Sequence, residues 1–222
     1  MKLILKNVRL AFPEIWEPKA FSASDKGDPA CSAKFIIAKD DPQLALVKET
    51  LKKVAIEKWA DKAKDMLGVL QAKGDIFFHD GATMAEYDGF AGNFYVGARN
   101  KARPKVVAKQ RFQGKPVELN ANGDAFVDGV RVNVPFKVTA PYSGCYVNVS
   151  MDVWAQANDF GKRINAKLLA IQFEADGAAF GGGEGFASAD FDDTSVEAGN
   201  EEAFGFDDSK TKKDAWEDDI PF

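Results

Sequence analysis

Tyr142-Ser-Gly-Cys-Tyr-Val-Asn-Val-Ser-Met-Asp-Val-Trp154 reads as a long strand with two distinct faces. Cys145, Val147, Val149, Met151 and Val153 fall on one side, and Tyr146, Asn148, Ser150, Asp152 and Trp154 on the other. A period of two held this long predicts a half-buried β-strand. Asn158 to Gly161 turns the chain, and Lys162 to Phe173 returns it. Upstream, Phe126 to Val134 reads as a hairpin around Asp128-Gly129, a dipeptide suited to a tight type I′ turn. Phe94, Val96 and Ala98 alternate with Tyr95, Gly97 and Arg99, and Ile76-Phe77-Phe78 is a short strand. Near the start, residues 2–10 read as a strand ended by Pro13. Residues 13–30, with Pro13, Pro18, Gly27 and Pro29, read as a loop. Cys31, Ala33, Phe35 and Ile37 then alternate with Ser32, Lys34 and Ile36.

One segment has another period. Asp40-Asp41-Pro42 opens a helix with an Asp cap and Pro at the first helical position. Leu44, Val47, Leu51, Val54, Ala55 and Trp59 make its apolar stripe, with Lys48, Lys52, Lys53 and Glu57 off it. The pattern runs on to Leu70, and Gly74 closes it. Several strands with short turns and one inserted amphipathic helix predict a mainly β fold, a small antiparallel barrel with added hairpins.

Charge divides the chain. Residues 1–174 hold 26 Lys and Arg against 20 Asp and Glu, net +6, whereas residues 175–222 hold 3 against 14, net −11. The acidic whole hides a basic body, a pattern that points to nucleic acid. From Ala175 the chain is Gly-rich and acidic, with phenylalanines at no fixed period. Such a segment buries too little to offset its ordering entropy, which predicts a disordered tail over 175–222 behind a domain at 1–174. Two cysteines in apolar alternating runs read as free thiols of a reducing compartment, and with one histidine they do not make a zinc site. No stretch approaches a membrane span, and the charged start does not resemble a signal peptide. No cofactor is expected: Gly181 to Gly185 follows no convincing strand, opens no helix and lacks the phosphate-loop lysine.

The basic character concentrates in Arg99, Lys101, Arg103, Lys105, Lys109, Arg111 and Lys115, seven cations in seventeen positions with no acid, all at odd numbers. In an extended chain residues two apart share a face, so Arg99, Lys101, Arg103 and, provided that Pro104 does not bend the chain, Lys105 form one positive ridge. Tyr95 and Gly97 have the same parity. Cations for phosphates beside flat rings for unpaired bases are what single-stranded DNA requires. Phe112, Tyr142, Tyr146 and Trp154 are further stacking candidates. Two other readings compete. Asp75, His79, Asp80, Glu86 and Asp88 would suit a metal-dependent nuclease but have no spacing signature. The acidic tail would suit a DNA mimic that inhibits a host enzyme, against which the basic strand argues.

The chain closes on Trp216-Glu-Asp218-Asp219-Ile220-Pro221-Phe222. This ending resembles the C-terminal tip of bacterial single-stranded DNA-binding proteins. The body, through Arg99-Asn-Lys-Ala-Arg-Pro104, Pro141-Tyr-Ser-Gly-Cys-Tyr-Val-Asn-Val149 and Ala170-Ile-Gln-Phe173, resembles a family of phage single-stranded DNA-binding proteins and, more distantly, the T7-type protein. The resemblance implies an oligonucleotide/oligosaccharide-binding (OB) fold, a five-stranded barrel, here with a helix inserted. It also implies sequence-tolerant protection of single strands during phage replication, recombination or repair in the cytoplasm of an infected bacterium. The tip would dock host or phage replication, recombination and repair proteins through Trp216, Asp218, Asp219, Ile220, Pro221 and Phe222. Phe222 joins ring and carboxylate on one residue for a pocket with an apolar floor and a basic rim. Catalysis is not expected, and self-association stays open.

Overall fold

The longest strand among the described residues starts at the second residue. In the computed structural model, which describes residues 1–20, 28–159 and 161–181, β1 is Lys2–Lys19 and β2 is Ala30–Ile37. Helices α1 (Gln43–Trp59) and α2 (Ala63–Lys73) follow, joined by a 3₁₀ turn at Ala60–Lys62. Next come β3 (Phe78–Asp80), a 3₁₀ turn at Gly81–Met84, β4 (Phe94–Asn100), β5 (Lys105–Phe112) and β6 (Lys115–Leu119). Strands β7 (Ala125–Val127) and β8 (Val130–Val132) form the small hairpin, and β9 (Tyr146–Asn158) and β10 (Gly161–Ala175) the long one.

Five of these strands close a barrel. The ladder runs β4–β2–β1–β9–β10, and β10 returns to β4 at Lys167 opposite Arg99. Four pairings are antiparallel, as expected; the closing one is parallel. This is the closed Greek-key arrangement of an OB-fold. Inside lie Leu3, Leu5, Phe35, Val96, Val149, Met151 and Leu168, all essentially without exposure. The inward set expected from the long strand, Cys145 to Val153, is fully buried. The α1 stripe, Leu44, Val47, Leu51, Val54 and Ala55, joins the same core, with Trp59 partly buried against it.

Several boundaries move. Strand β1 does not end before Pro13 but runs to Lys19. Pro13 lies at an irregularity in the β1–β2 register between Ala11 and Glu14, where no ladder donor is required. The helical stretch breaks once, at Ala60, whose φ is 47°. Ile76 makes only an isolated bridge to Ile164, and the short strand begins at Phe78. The long strand starts at Tyr146, because Gly144 (φ 100°) turns the chain just before it. Asp80 Oδ1 accepts from Ala82 N and so caps the 3₁₀ turn that follows it.

The end of the body also moves. Strand β10 reaches Ala175, and residues 176–181 lie packed on the barrel, so the break expected after 174 falls later. The tail beyond, with the tip residues Trp216, Asp218, Asp219, Ile220, Pro221 and Phe222, lies outside the described residues. A second, smaller core sits on the outer face of β1, β2 and β4. There Ala11, Ile36, Phe90 and Tyr95 are buried with Met84 and Phe180 packed against them.

Candidate nucleic-acid interface

The expected ridge of cations is divided by a turn. Strand β4 ends at Asn100, and β5 begins only at Lys105. The Asn100 side chain makes the turn: its Oδ1 accepts from Ala102 N at 3.1 Å, and its Nδ2 donates to Leu168 O at 2.8 Å. Pro104 is buried and Arg103 and Lys105 are exposed, so the odd positions stay outward through it, but the turn at Asn100 splits them between two strands. Strands β4 and β5 lie in succession along β10, with Arg99 opposite Lys167 and Lys105 opposite Ala170.

The expected residues consequently separate. Lys105 pairs with Glu118 at 2.5 Å and Lys109 with Glu174 at 2.6 Å, while Arg111 Nη1 donates to Gly114 O. Phe112 is partly buried against the main core. Arg103 lies over the Trp16 ring at 5.0 Å and donates to Leu119 O. Tyr142 and Tyr146 contact residues 176–180, either directly or through Arg9. Tyr95 has the outward parity expected of it, but its ring is covered by Phe90 and stacks on His79 at 5.0 Å. Arg99, Lys101 and Trp154 remain together.

These three line a groove of about 910 Å³ with Gly97, Arg163 and Lys167. Trp154 is 40% exposed. A second groove of about 590 Å³, lined by Phe12, Lys34, Met84 and Tyr87, adjoins it, and the two share Ala30, Gly97 and Arg99. A Cβ built on Gly97 would meet nothing within 4 Å, so the seam between the grooves is open backbone.

Charge in the joined groove is unequally spent. Glu14 is taken by Lys19 and Asp75 by Arg163, while Asp28 is held by Lys101, whose contact keeps that carboxyl below its ordinary range. Arg99, Lys34 and Lys167 have no ion-pair partner among the described residues; Arg99 Nη2 donates to Asp28 O. Lys34 is the most enclosed of the three. Its Nζ lies 5.1 Å from the centre of the Phe12 ring, 5.4 Å from that of Tyr95 and 2.8 Å from Met84 Sδ. Burial pushes its pKa down, and burial does the same to His79. A desolvated, unpaired ammonium of this kind gains most from an incoming anion.

Sequence reasoning missed Phe12, Tyr87 and Lys34 as groove residues. Phe12 and Tyr87 are about half exposed and meet edge to face, with centroids 5.1 Å apart. Phe12 has φ 48°, a conformation that bulky residues avoid, at the bulge of β1. An aromatic residue immediately before Pro13 was the available signal, but it gives no direction.

The nuclease set does not converge. Asp75 faces Arg163, Asp80 caps its own turn and Asp88 accepts from Gly181 N. Among the described residues, no three His, Cys, Asp or Glu side chains gather as a metal-holding group.

Comparison with known proteins adds to this geometry. Protein p50 of Acyrthosiphon pisum secondary endosymbiont phage 1 is 36% identical over 199 residues, spanning 88% of this chain and 95% of that protein. The single-stranded DNA-binding protein of bacteriophage Enc34, solved in complex with ssDNA, superposes with a TM-score of 0.60 at 25% identity, covering 81% of this chain and 89% of that one. The T7 single-stranded DNA-binding protein gp2.5 aligns at 12% identity and a TM-score of 0.46, over 78% of this chain and 91% of that one. The family model described as the ssDNA-binding protein of Enterobacter phage Enc34 matches residues 1–203, and the chain belongs to that family.

Proposed function

We propose that this protein binds single-stranded DNA along the joined groove, with little regard to sequence. The observation that carries the reading is the seam at Gly97 and Arg99. It is a bare backbone position beside a guanidinium with no ion-pair partner among the described residues, with exposed rings in the groove on either side. The groove lies across β2 and β4, the second and third strands of the barrel, which is the face that OB-folds use for oligonucleotides. Arg99, Lys34 and Lys167 neutralise phosphates. Phe12, Tyr87 and Trp154 offer faces to bases. Stacking contributes roughly 1–3 kcal/mol per base and is sequence-tolerant because every base has a π-face.

The role is that of a non-enzymatic coat on transient single strands during phage replication, recombination or repair, in the cytoplasm of the infected cell. The acidic tip recruits the enzymes of those processes. Removing Phe222 alone is expected to abolish such docking in a pull-down from infected cells while oligonucleotide affinity stays unchanged; retained docking would overturn recruitment through the tip.

The test of binding is a titration with oligo-dT across salt, read by tryptophan fluorescence and anisotropy. About four to six phosphate contacts predict a log–log slope of roughly −3 to −4. A slope near zero would overturn the reading.

A further inference from the structure

We propose that residues 176–181 form a strap that positions the Tyr87 rim of the groove for DNA, with Phe180 as its pin; this rests on the single-stranded DNA reading above. The strap is built into the barrel. Arg9 lies between two rings, 5.7 Å from the centre of Tyr146 and 4.1 Å from that of Phe180. Its Nη2 donates to Ala178 O at 2.7 Å, and its Nε donates to Gly144 O at 3.3 Å. The Tyr142 hydroxyl accepts from Gly177 N and lies 3.0 Å from Gly177 O. Phe180 N donates to Ser143 O. Glycine is required on both sides of the contact: a Cβ on Gly144 would stand 2.1 Å from Ala178 O, and one on Gly177 would stand 2.3 Å from Gly144 O. A segment held in this way has a defined place.

That place is under the loop between the 3₁₀ turn at Gly81–Met84 and β4, which carries Tyr87. The Phe180 ring packs into the cluster of Phe90, Tyr95, Ile36 and Met84, so close to Gly89 that a Cβ there would lie 2.8 Å from its Cζ. Gly181 N donates to Asp88 Oδ2 at 3.2 Å. The loop's own backbone bonds, Tyr87 N to Met84 O and Phe90 N to Tyr87 O, are local, and Gly81 N to Asn93 O only closes its neck. The loop's buried Phe90 and the strap that packs against it therefore together set how the loop sits on the barrel. The Tyr87 ring, meeting Phe12 edge to face, depends on that seating. Phe180 is a positioning residue: it lines the outer side of the rim with Phe12 and Tyr87, while the joined groove lies on the other.

The test uses the full chain. Phe180→Ala is expected to weaken oligo-dT binding about threefold to tenfold, in the range by which residues away from a ligand tune affinity. Phe180→Leu, which keeps an apolar pin in the cluster and adds no atom beyond Cζ toward Gly89, is expected to restore most of it. Amide exchange is expected to accelerate in Phe180→Ala within 85–92 and not in β9, a pattern that general loss of stability would not give. Asp88→Ala, an exposed change that cuts only the bond to Gly181, is expected to weaken binding in the same direction and keeps the test available if Phe180→Ala does not fold. Parent-like oligo-dT affinity in both alanine variants, with the parent binding normally, overturns the strap alone. Failure of the parent to bind overturns the DNA reading and the strap with it.

Discussion

Arg99 and Lys105 stand six residues apart in one basic run, and their surroundings assign them different work. Arg99 is the last residue but one of β4, at the seam of two grooves, with a backbone carbonyl as its partner. Lys105 opens β5 and is engaged by Glu118. An exposed ion pair of this kind contributes little to stability, but it lowers the positive charge presented to a phosphate. Arg99→Ala is therefore expected to reduce oligo-dT affinity by about tenfold and to flatten the salt slope by somewhat under one unit, the loss of one phosphate contact. Lys105→Ala should change either quantity by less than about twofold. Equal effects of the two substitutions in the same salt series would show that bulk charge, and not the seam, governs binding. Phe12 extends the argument to strain. A phenylalanine at φ 48° costs on the order of 1 kcal/mol that glycine would not. Phe12→Gly is expected to leave the melting temperature within a few degrees of the parent, because relief of strain offsets the half of the ring that is buried. Binding of oligo-dT should nonetheless weaken by about fivefold or more, through the lost stack. A variant that melts much earlier but binds normally would make Phe12 a packing residue only.

Among the elements, β9, β10 and β5 meet at a polar join on the outside of the barrel. Lys109 on β5 reaches Glu174 on β10, and Asn148 on β9 donates to both Glu174 Oε2 and Gln172 Oε1. The Lys109 contact holds the Glu174 carboxyl below its ordinary range, with Asn148 adding to it. A depressed carboxyl contributes stability above its unfolded pKa, which the protein loses as pH falls through the folded value. Glu174→Gln should therefore be less stable than the parent at neutral pH, with the gap closing below about pH 4.5. Denaturant titrations at several pH values measure it, and a gap independent of pH would remove the carboxylate from the explanation. At this scale much was legible in the sequence. Cys145 to Val153, the stripe from Leu44 to Ala55 and the Asp128-Gly129 turn each follow from a local period or a local backbone need. The groove was less so. Its rings come from β1, a loop and β9, and a bulge at Phe12 and an Asn100 turn decide which side chains reach it. Parity is lost at the bulge; across the Asn100 turn the odd positions stay outward, but parity does not say which of them share a groove. Residues 176–181 read as tail by composition, because glycine and alanine there record close approach to the barrel, which no period announces.

Across the whole molecule, a basic body is tied to an acidic extension. Residues 184–222 hold 13 Asp and Glu against 3 Lys and Arg, net −10, while residues 1–183 are net +5. Tethering is expected to give the extension a high effective concentration around the body, where its acids would compete with the phosphates of DNA. Such competition would be electrostatic and would fade as the Debye length contracts, from about 30 Å at 0.01 M salt to about 8 Å at 0.15 M. The strap gives this argument a consequence that charge alone would not. A chain ending at 174 would lose two things of opposite sign, the competing acids and the support beneath Tyr87, and its affinity would report neither. A chain ending at Gly183 keeps Phe180 on Arg9 and loses only the acids. It is expected to bind oligo-dT several-fold more tightly than the full chain at about 0.02 M salt and to converge on it near 0.2 M, whereas the chain ending at 174 should bind more weakly than the one ending at 183 at both. Anisotropy titrations of the three lengths at the two salts decide the matter. If the chain ending at 183 matches the full chain at low salt, the acids do not compete for the groove. If the chains ending at 174 and 183 match each other, the strap does not serve it.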